Sequence, residues 1–257
     1  MPISLTPLSA TVAVIPLVLG MIYFLRTGIA EYGVFKATTK TEDRQGFYRR
    51  WTFRSFLIFS VVTIGLLTVF GRIDALFILP DEFVPLAEQL ATVFADENEV
   101  LDPNFVWIIL FAMAASAILS PSLITYLSRG KAEAFIAGDV LPLLPRNREE
   151  KSWAAAISAN AGLGEELFFR LLLPLLFTYV FGNVLLAFVA AAIVFGVIHS
   201  YQGWVGVLAT TVLGALLMLI YLGTENLWVV IAVHAAIDLN GLILQPYLKL
   251  LVERHLT

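Results

Sequence analysis

Charged positions in this chain fall into a few breaks, and between them run apolar stretches that approach the roughly 20 residues a helix needs to cross about 30 Å of hydrocarbon. The stretches lie near 9–26, 55–71, 105–127, 153–180, 184–200, 204–222 and 227–248. They are apolar on every face, whereas a membrane β-barrel shows short segments that alternate apolar and polar positions. The expected fold is all-α, a polytopic transmembrane helix bundle of about seven spans, between six and eight. Three spans fall in 1–150 and the others in 151–257. No repeat, low-complexity tract or independent second domain is visible.

Charge then orients the bundle. Lys and Arg near helix ends collect on the cytoplasmic side. Arg26, Lys36, Lys40, Arg44, Arg49, Arg50 and Arg54 fall between the first two spans, Arg129, Lys131, Arg146, Arg148 and Lys151 between the third and fourth, and Lys249 and Arg254 after the last. The stretch 72–104 holds Arg72 against eight acidic residues, Asp74 to Asp102. An N-out, C-in topology follows. Trp51, Trp107, Trp153, Trp204 and Trp228 fall at or just before span starts, where interfacial tryptophans belong. In the acidic loop, the apolar piece Phe83 to Phe94 is expected to form a short helix on the membrane surface. No Lys or Arg precedes the first apolar run, so it reads as a retained helix and not as a signal peptide.

Composition agrees with this and narrows the chemistry. The chain is 59% apolar and 14% charged with a mean hydropathy of +0.86, whereas soluble domains are about 45–50% apolar and about 25% charged. It contains no cysteine, which excludes disulfides, thiolate metal sites and a cysteine nucleophile. No basic face for nucleic acid is present. The partner this composition implies is the lipid bilayer, and the expected location is a multi-pass position in an inner membrane of bacterial type.

Of the sixteen basic residues only Arg170 lies inside an apolar span. An ionisable side chain at the centre of a membrane helix costs about 2.5–3.5 kcal/mol on insertion scales, so it needs a partner or a purpose. The fourth span carries Glu165, Glu166 and Arg170. Arg170 lies one turn beyond Glu166 and on its face, which predicts an ion pair and leaves Glu165, about 100° further round, to face something else. The fifth span ends in Phe195-Gly196-Val197-Ile198-His199, and the seventh contains His234 and Asp238 one turn apart. A carboxylate and two imidazoles together supply a base for water and donors for an oxyanion, or ligands for a divalent metal such as zinc. His199 lies close to the end of its span, so a sunken turn at the uncharged Ser200-Tyr201-Gln202-Gly203, or tilt of either helix, is needed to bring it level with Glu165.

Glu165-Glu166-x-x-x-Arg170, Phe195-x-x-x-His199 and His234-x-x-x-Asp238, in order on separate membrane helices over roughly 153–240, resemble the CPBP family of CAAX-prenyl proteases and bacteriocin-processing or self-immunity proteins. The resemblance implies an intramembrane endopeptidase. Glu165 would activate water with help from His199, His234 and Asp238 would stabilise the oxyanion or complete the site, and Glu166 with Arg170 would position Glu165. Family members are described both as metalloproteases and as metal-free glutamate proteases, and the cofactor stays open. Asp238 stands where the family often has Asn, replacing an amide donor with an acceptor. Leu171 stands where it often has Gly, which narrows access.

Other readings of the same residues are a buried ion-pair cluster that pins helix packing, and an interhelical hydrogen-bond pair at His234 and Asp238. They lead to a non-enzymatic immunity or scaffold protein, or to a proton-coupled transporter. Neither HExxH nor G-x-S-x-G is present. Asn160 and Ser158 are placed near the same cavity, Asn240 on another face, and Gly196, Gly206, Gly214 and Gly241 at close helix crossings.

Overall fold

Asparagines start three helices of the bundle. Asn147 Oδ1 accepts from the N–H of Glu150 at 2.8 Å, Asn183 Oδ1 from that of Leu186 at 2.8 Å, and Asn226 Oδ1 from those of Trp228 and Val229 at 2.9 and 3.3 Å. Each satisfies amides that a first helical turn leaves unpaired. Gly182, with φ of 66°, ends the preceding helix in the left-handed conformation that glycine adopts without a Cβ clash. The computed structural model describes residues 2–93 and 138–248, and their regular structure is entirely helical.

Helix α1 spans Pro7–Ala37, and α2 spans Thr41–Val69 with a π turn at Phe56–Val61. A short α3 follows at Val84–Val93. Helix α4 runs from Arg148–Glu166 through a π turn, Leu167–Leu172, into Leu173–Phe181. Then come α5 at Val184–Ile198, a 3₁₀ turn at Ser200–Gln202, α6 at Gly203–Thr224, and α7 at Leu227–Leu239 continued by a π turn at Asn240–Leu244. Among the described residues, four helices are long and apolar enough to cross a membrane: Pro7–Ala37, Thr41–Val69, Ser200–Thr224 and Leu227–Leu248. The expected span at 105–127 lies outside the described residues.

Helix α4 is the hub. Its first half packs against α2 and α7, its second half against α1 and α5, and α6 covers α5. Every residue from Glu166 to Phe177 is buried, so protein surrounds the one helix that carries ion-paired charge at this depth. The outward faces are apolar: Leu8, Val12 and Leu19 on α1, Leu185 and Ile193 on α5, and Val205 and Val212 on α6 are all exposed. A continuous apolar exterior of this extent belongs in lipid, not water.

Connections gather at two ends. At one end Tyr32 Oη donates to the carbonyl of Asp139, Lys36 pairs with the Asp139 carboxylate at 2.5 Å, and the Asp139 N–H donates to Gln202 O at 2.8 Å. Arg44 and Glu150, both fully buried, pair at 3.1 Å, and the same guanidinium donates to the carbonyls of Pro142 and Leu144 at 3.0 and 3.2 Å. These bonds strap the segment 138–147 across this end of the bundle. An aromatic cluster of Tyr32, Phe35, Phe47 and Tyr48 lies beneath it, with Trp51, Trp153 and Tyr201 packed against it. Trp51 is therefore part of this cluster and not of an interfacial belt, because four aromatic rings from α1, α2 and the 3₁₀ turn surround it.

At the other end Trp228 Nε1 donates to Leu76 O at 2.9 Å. Phe83 is fully buried against Phe188 and Tyr221. Leu86 and Ala87 are buried as well, so α3 is tucked into the bundle instead of lying on the membrane surface. Its apolar face finds protein to cover it. Arg72 holds Glu82 with two bonds, 2.6 and 2.7 Å, and Tyr179 Oη donates to the same carboxylate at 2.6 Å. Burial pushes the Glu82 carboxyl up, but the bonds from Arg72 and Tyr179 outweigh it and hold the group at about 2, below its ordinary 4.5. A carboxyl lowered on folding adds stability above its unfolded value, and that stability is lost as pH falls through the folded one. The unfolding temperature of wild type is therefore expected to exceed that of Glu82→Gln at neutral pH, with the gap closing as pH falls from about 4.5 toward about 2. A gap independent of pH would show that this carboxylate contributes nothing through its charge.

Candidate active site

Glycines bring the helices of the site together. A Cβ at Gly162 would lie 2.8 Å from Ala235 Cβ and 2.9 Å from Ile231 O, and one at Gly164 would lie 2.9 Å from Ser60 Oγ. The α4 backbone is thus pressed against α7 on one side and α2 on the other, immediately before Glu165 and Glu166. A π turn follows at once in α4, and another in α2 packs on it through Phe59, Phe168 and Phe169. Such single-turn widenings are frequent at functional sites.

Glu166 is fully buried between a guanidinium and an imidazole. Arg170 Nε meets its Oε2 at 2.9 Å, and His234 Nδ1 donates to its Oε1 at 2.6 Å. The ion pair one turn apart matches the sequence pattern, but the bond to His234 was not legible there, since it joins residues 68 positions apart. The terminal nitrogens of Arg170 have no hydrogen-bond partner among the described residues. Its guanidinium lies over the Phe195 ring at 4.4 Å, within cation–π range.

Glu165 has no such anchor. Its Oε2 is buried without a hydrogen-bond partner among the described residues, 3.7 Å from His199 Nε2 and 4.0 Å from His234 Nε2. Both imidazoles donate through Nδ1, His199 to the carbonyl of Phe195 at 2.7 Å and His234 to Glu166, so both Nε2 atoms turn toward the same carboxylate oxygen. The distances exceed direct hydrogen-bond reach, and a water within about 2.8–3.0 Å of both Glu165 Oε2 and an Nε2 would bridge them from one side. Asp238 Oδ1 lies 3.9 Å from His234 Nε2, and its side chain is the most exposed of the set at 30%.

The uncharged turn after His199 is packed against protein. Helix α5 ends after 15 residues, about 22 Å at 1.5 Å per residue, short of the hydrocarbon thickness. The 3₁₀ turn that follows is covered by Tyr201, whose ring packs on Tyr32 and Trp51 at 5.1 and 4.9 Å. His199 is thereby held level with Glu165 inside the bundle.

A cavity of about 310 Å³ opens on this cluster, bordered by Glu165, His199, His234 and Asp238. Asn160 reaches it, as expected, whereas Ser158 is spent on the carbonyl of Ala154 at 3.0 Å. Asn240 also borders it, contrary to its expected position, because the α-helix gives way there to a π turn that rotates the side chains beyond it. Leu171 does not narrow access: it is fully buried in the core of α4 and does not border the cavity. Gly196 and Gly214 do lie at close helix crossings, but Gly241 faces open space. Among the described residues, no group of three histidine or acidic side chains is arranged to hold a metal ion. His255 lies outside the described residues.

Residues 148–240 match the Rce1-like family, type II CAAX prenyl endopeptidase. The Rce1-like segment contains all six polar residues of the cluster and the helices that position them, and it agrees with the CPBP resemblance carried by the three motifs. Residues 1–147, which supply α1, α2 and the strap, lie outside the Rce1-like match. No curated protein and no solved structure matches the chain.

Proposed function

We propose that this protein is an intramembrane endopeptidase that hydrolyses a peptide bond of a membrane-associated peptide or protein, with Glu165 as the general base. The observation that carries the reading is Glu165 Oε2: buried, without a hydrogen-bond partner among the described residues, and faced by two imidazole nitrogens 3.7 and 4.0 Å away. An ionisable group left unpaired at this depth is costly, and a structural role gives no reason to retain it.

A water held between Glu165 and His199 gives its proton to Glu165 while its oxygen attacks the scissile carbonyl carbon. The carbonyl electron pair moves onto the oxygen, and the His234 Nε2–H, when that ring carries its second proton, donates to this oxyanion. Glu166 balances the imidazolium and fixes the ring by holding Nδ1. The tetrahedral centre collapses, the C–N bond breaks with its electron pair on nitrogen, and Glu165 returns its proton to the departing amine. Asp238, on the cavity side of His234, completes the polar wall.

The basic residues near the 37–41, 138–151 and 245–248 end favour the N-out, C-in orientation, with the site opening toward the cytoplasmic half of the bilayer. To test the reading, purified full-length protein in detergent is incubated with a mixed library of membrane-interacting peptides and new termini are read by mass spectrometry. New termini made by wild type and lost in Glu165→Ala and His199→Ala are expected. Equal cleavage by all three proteins, or binding with no new termini, overturns the assignment.

A further inference from the structure

We propose that the groove between α4 and α7 is a subsite for an extended strand of the substrate, in which Gly241 sets the side chain admitted and Gln245 pairs with the main chain. The proposal rests on the peptidase reading and extends it from the reaction to specificity.

Asp238, Gly241 and Gln245, on either side of and within the π turn that continues α7, all border the cavity. Asn160 and Ala161 border it from α4. From Asp238 to Gln245 a helix rises about 10 Å, the length of about three residues of extended chain at ~3.3 Å each. A strand whose scissile bond lies beside Glu165 would therefore pass Gly241 within one or two residues and reach Gln245 near the third.

The walls carry acceptors suited to such a strand. Gln245 is 4% exposed, and its Oε1 is buried with no hydrogen-bond partner among the described residues. Leaving a buried acceptor unpaired costs about 1–3 kcal/mol, and a peptide N–H would recover it. Across the groove, the Ser55 hydroxyl donates to Trp51 O at 2.9 Å, so its oxygen accepts from Asn160 Nδ2 at 2.7 Å. That fixes the Asn160 amide with its Oδ1 as the remaining acceptor. An extended chain presents N–H groups alternately to its two sides, and acceptors on opposite walls match that alternation.

Gly241 supplies the space. A Cβ built on it meets no heavy atom within 4 Å, unlike Gly162 and Gly164, whose neighbours leave no room for one. Glycine inside a helix costs about 0.5–1 kcal/mol relative to alanine, and helix packing here does not require it. The free volume lies in the cavity, where a large apolar side chain of the substrate fits against Leu242 and Ile237.

The test uses full-length protein in detergent and peptides whose residues on both sides of the cut are varied among Ala, Leu and Phe. Gly241→Leu is expected to cut peptides with Phe at one position near the bond about tenfold more slowly than wild type, while those with Ala there change less than about twofold. Gly241→Ala should fall between them. Gln245→Leu is expected to raise KM for every peptide with kcat nearly unchanged, the signature of lost main-chain binding. Unfolding temperatures establish that each variant is folded. An unchanged preference in Gly241→Leu, or equal loss on Ala and Phe peptides by the folded variant, overturns the subsite while leaving the peptidase reading intact. A wild type that cuts nothing overturns both.

Discussion

Replacing Glu165 by Gln should lower kcat/KM for peptide cleavage by about 10²–10⁴-fold, the usual contribution of a positioned general base, and should leave the unfolding temperature unchanged or raised. The two halves of this expectation have one cause. Glutamine keeps the shape of the side chain but cannot accept the proton of water. Removing the charge also relieves a buried carboxylate oxygen that has no hydrogen-bond partner among the described residues and is faced by imidazole nitrogens at 3.7 and 4.0 Å. A residue whose loss abolishes activity and improves stability is one retained for chemistry at the expense of the fold. Cleavage rates on one peptide and thermal unfolding of both proteins measure it. Activity within about threefold of wild type would remove Glu165 from the base role, and a large drop in unfolding temperature would recast it as structural.

Arg170→Met is expected to have the opposite balance, a loss of stability of about 3–5 kcal/mol accompanied by loss of cleavage. Methionine matches the stem of the side chain but leaves the fully buried Glu166 carboxylate without the guanidinium 2.9 Å away. His234 alone then faces that charge through the 2.6 Å bond to Nδ1. The penalty is one of unpaired buried charge, so removing both charges should relieve much of it. The double variant Glu166→Gln with Arg170→Met keeps an amide oxygen for His234 Nδ1 and is expected to unfold at a higher temperature than Arg170→Met alone. Its activity reports whether His234 needs only an acceptor or needs a negative charge to become an oxyanion donor. An Arg170→Met protein as stable as wild type would mean that Glu166 is held by some other contact.

Membrane character, helical class and the chemistry-bearing residues were legible along the chain because each depends on local order. An uninterrupted apolar run satisfies its own backbone in lipid as a helix, whatever its neighbours are. The Glu166–Arg170 pair and the shared face of His234 and Asp238 follow from helical spacing alone, and the structure has both as neighbours one turn apart. The six-residue cluster drew attention because charge at that depth is expensive, a property of composition and position that needs no coordinates.

What spacing could not supply was the assignment of partners across helices, because it depends on which backbones approach and at what rotation. Spacing paired Glu166 with Arg170; the fold also gives Glu166 to His234, through the close approach of α4 and α7 at Gly162 and Ala235. Asn240 and Gly241 were misjudged for a related reason: a π turn at Asn240–Leu244 changes the angle per residue, and extrapolation at 100° fails beyond it. Trp51 could be placed near a boundary from the sequence, but only the crossing of α1, α2 and the 3₁₀ turn made it a wall of the site. Local periodicity thus determined which side chains are buried in the bilayer. Helix crossings, set by small residues and π turns far apart in the chain, decided which of those side chains face one another.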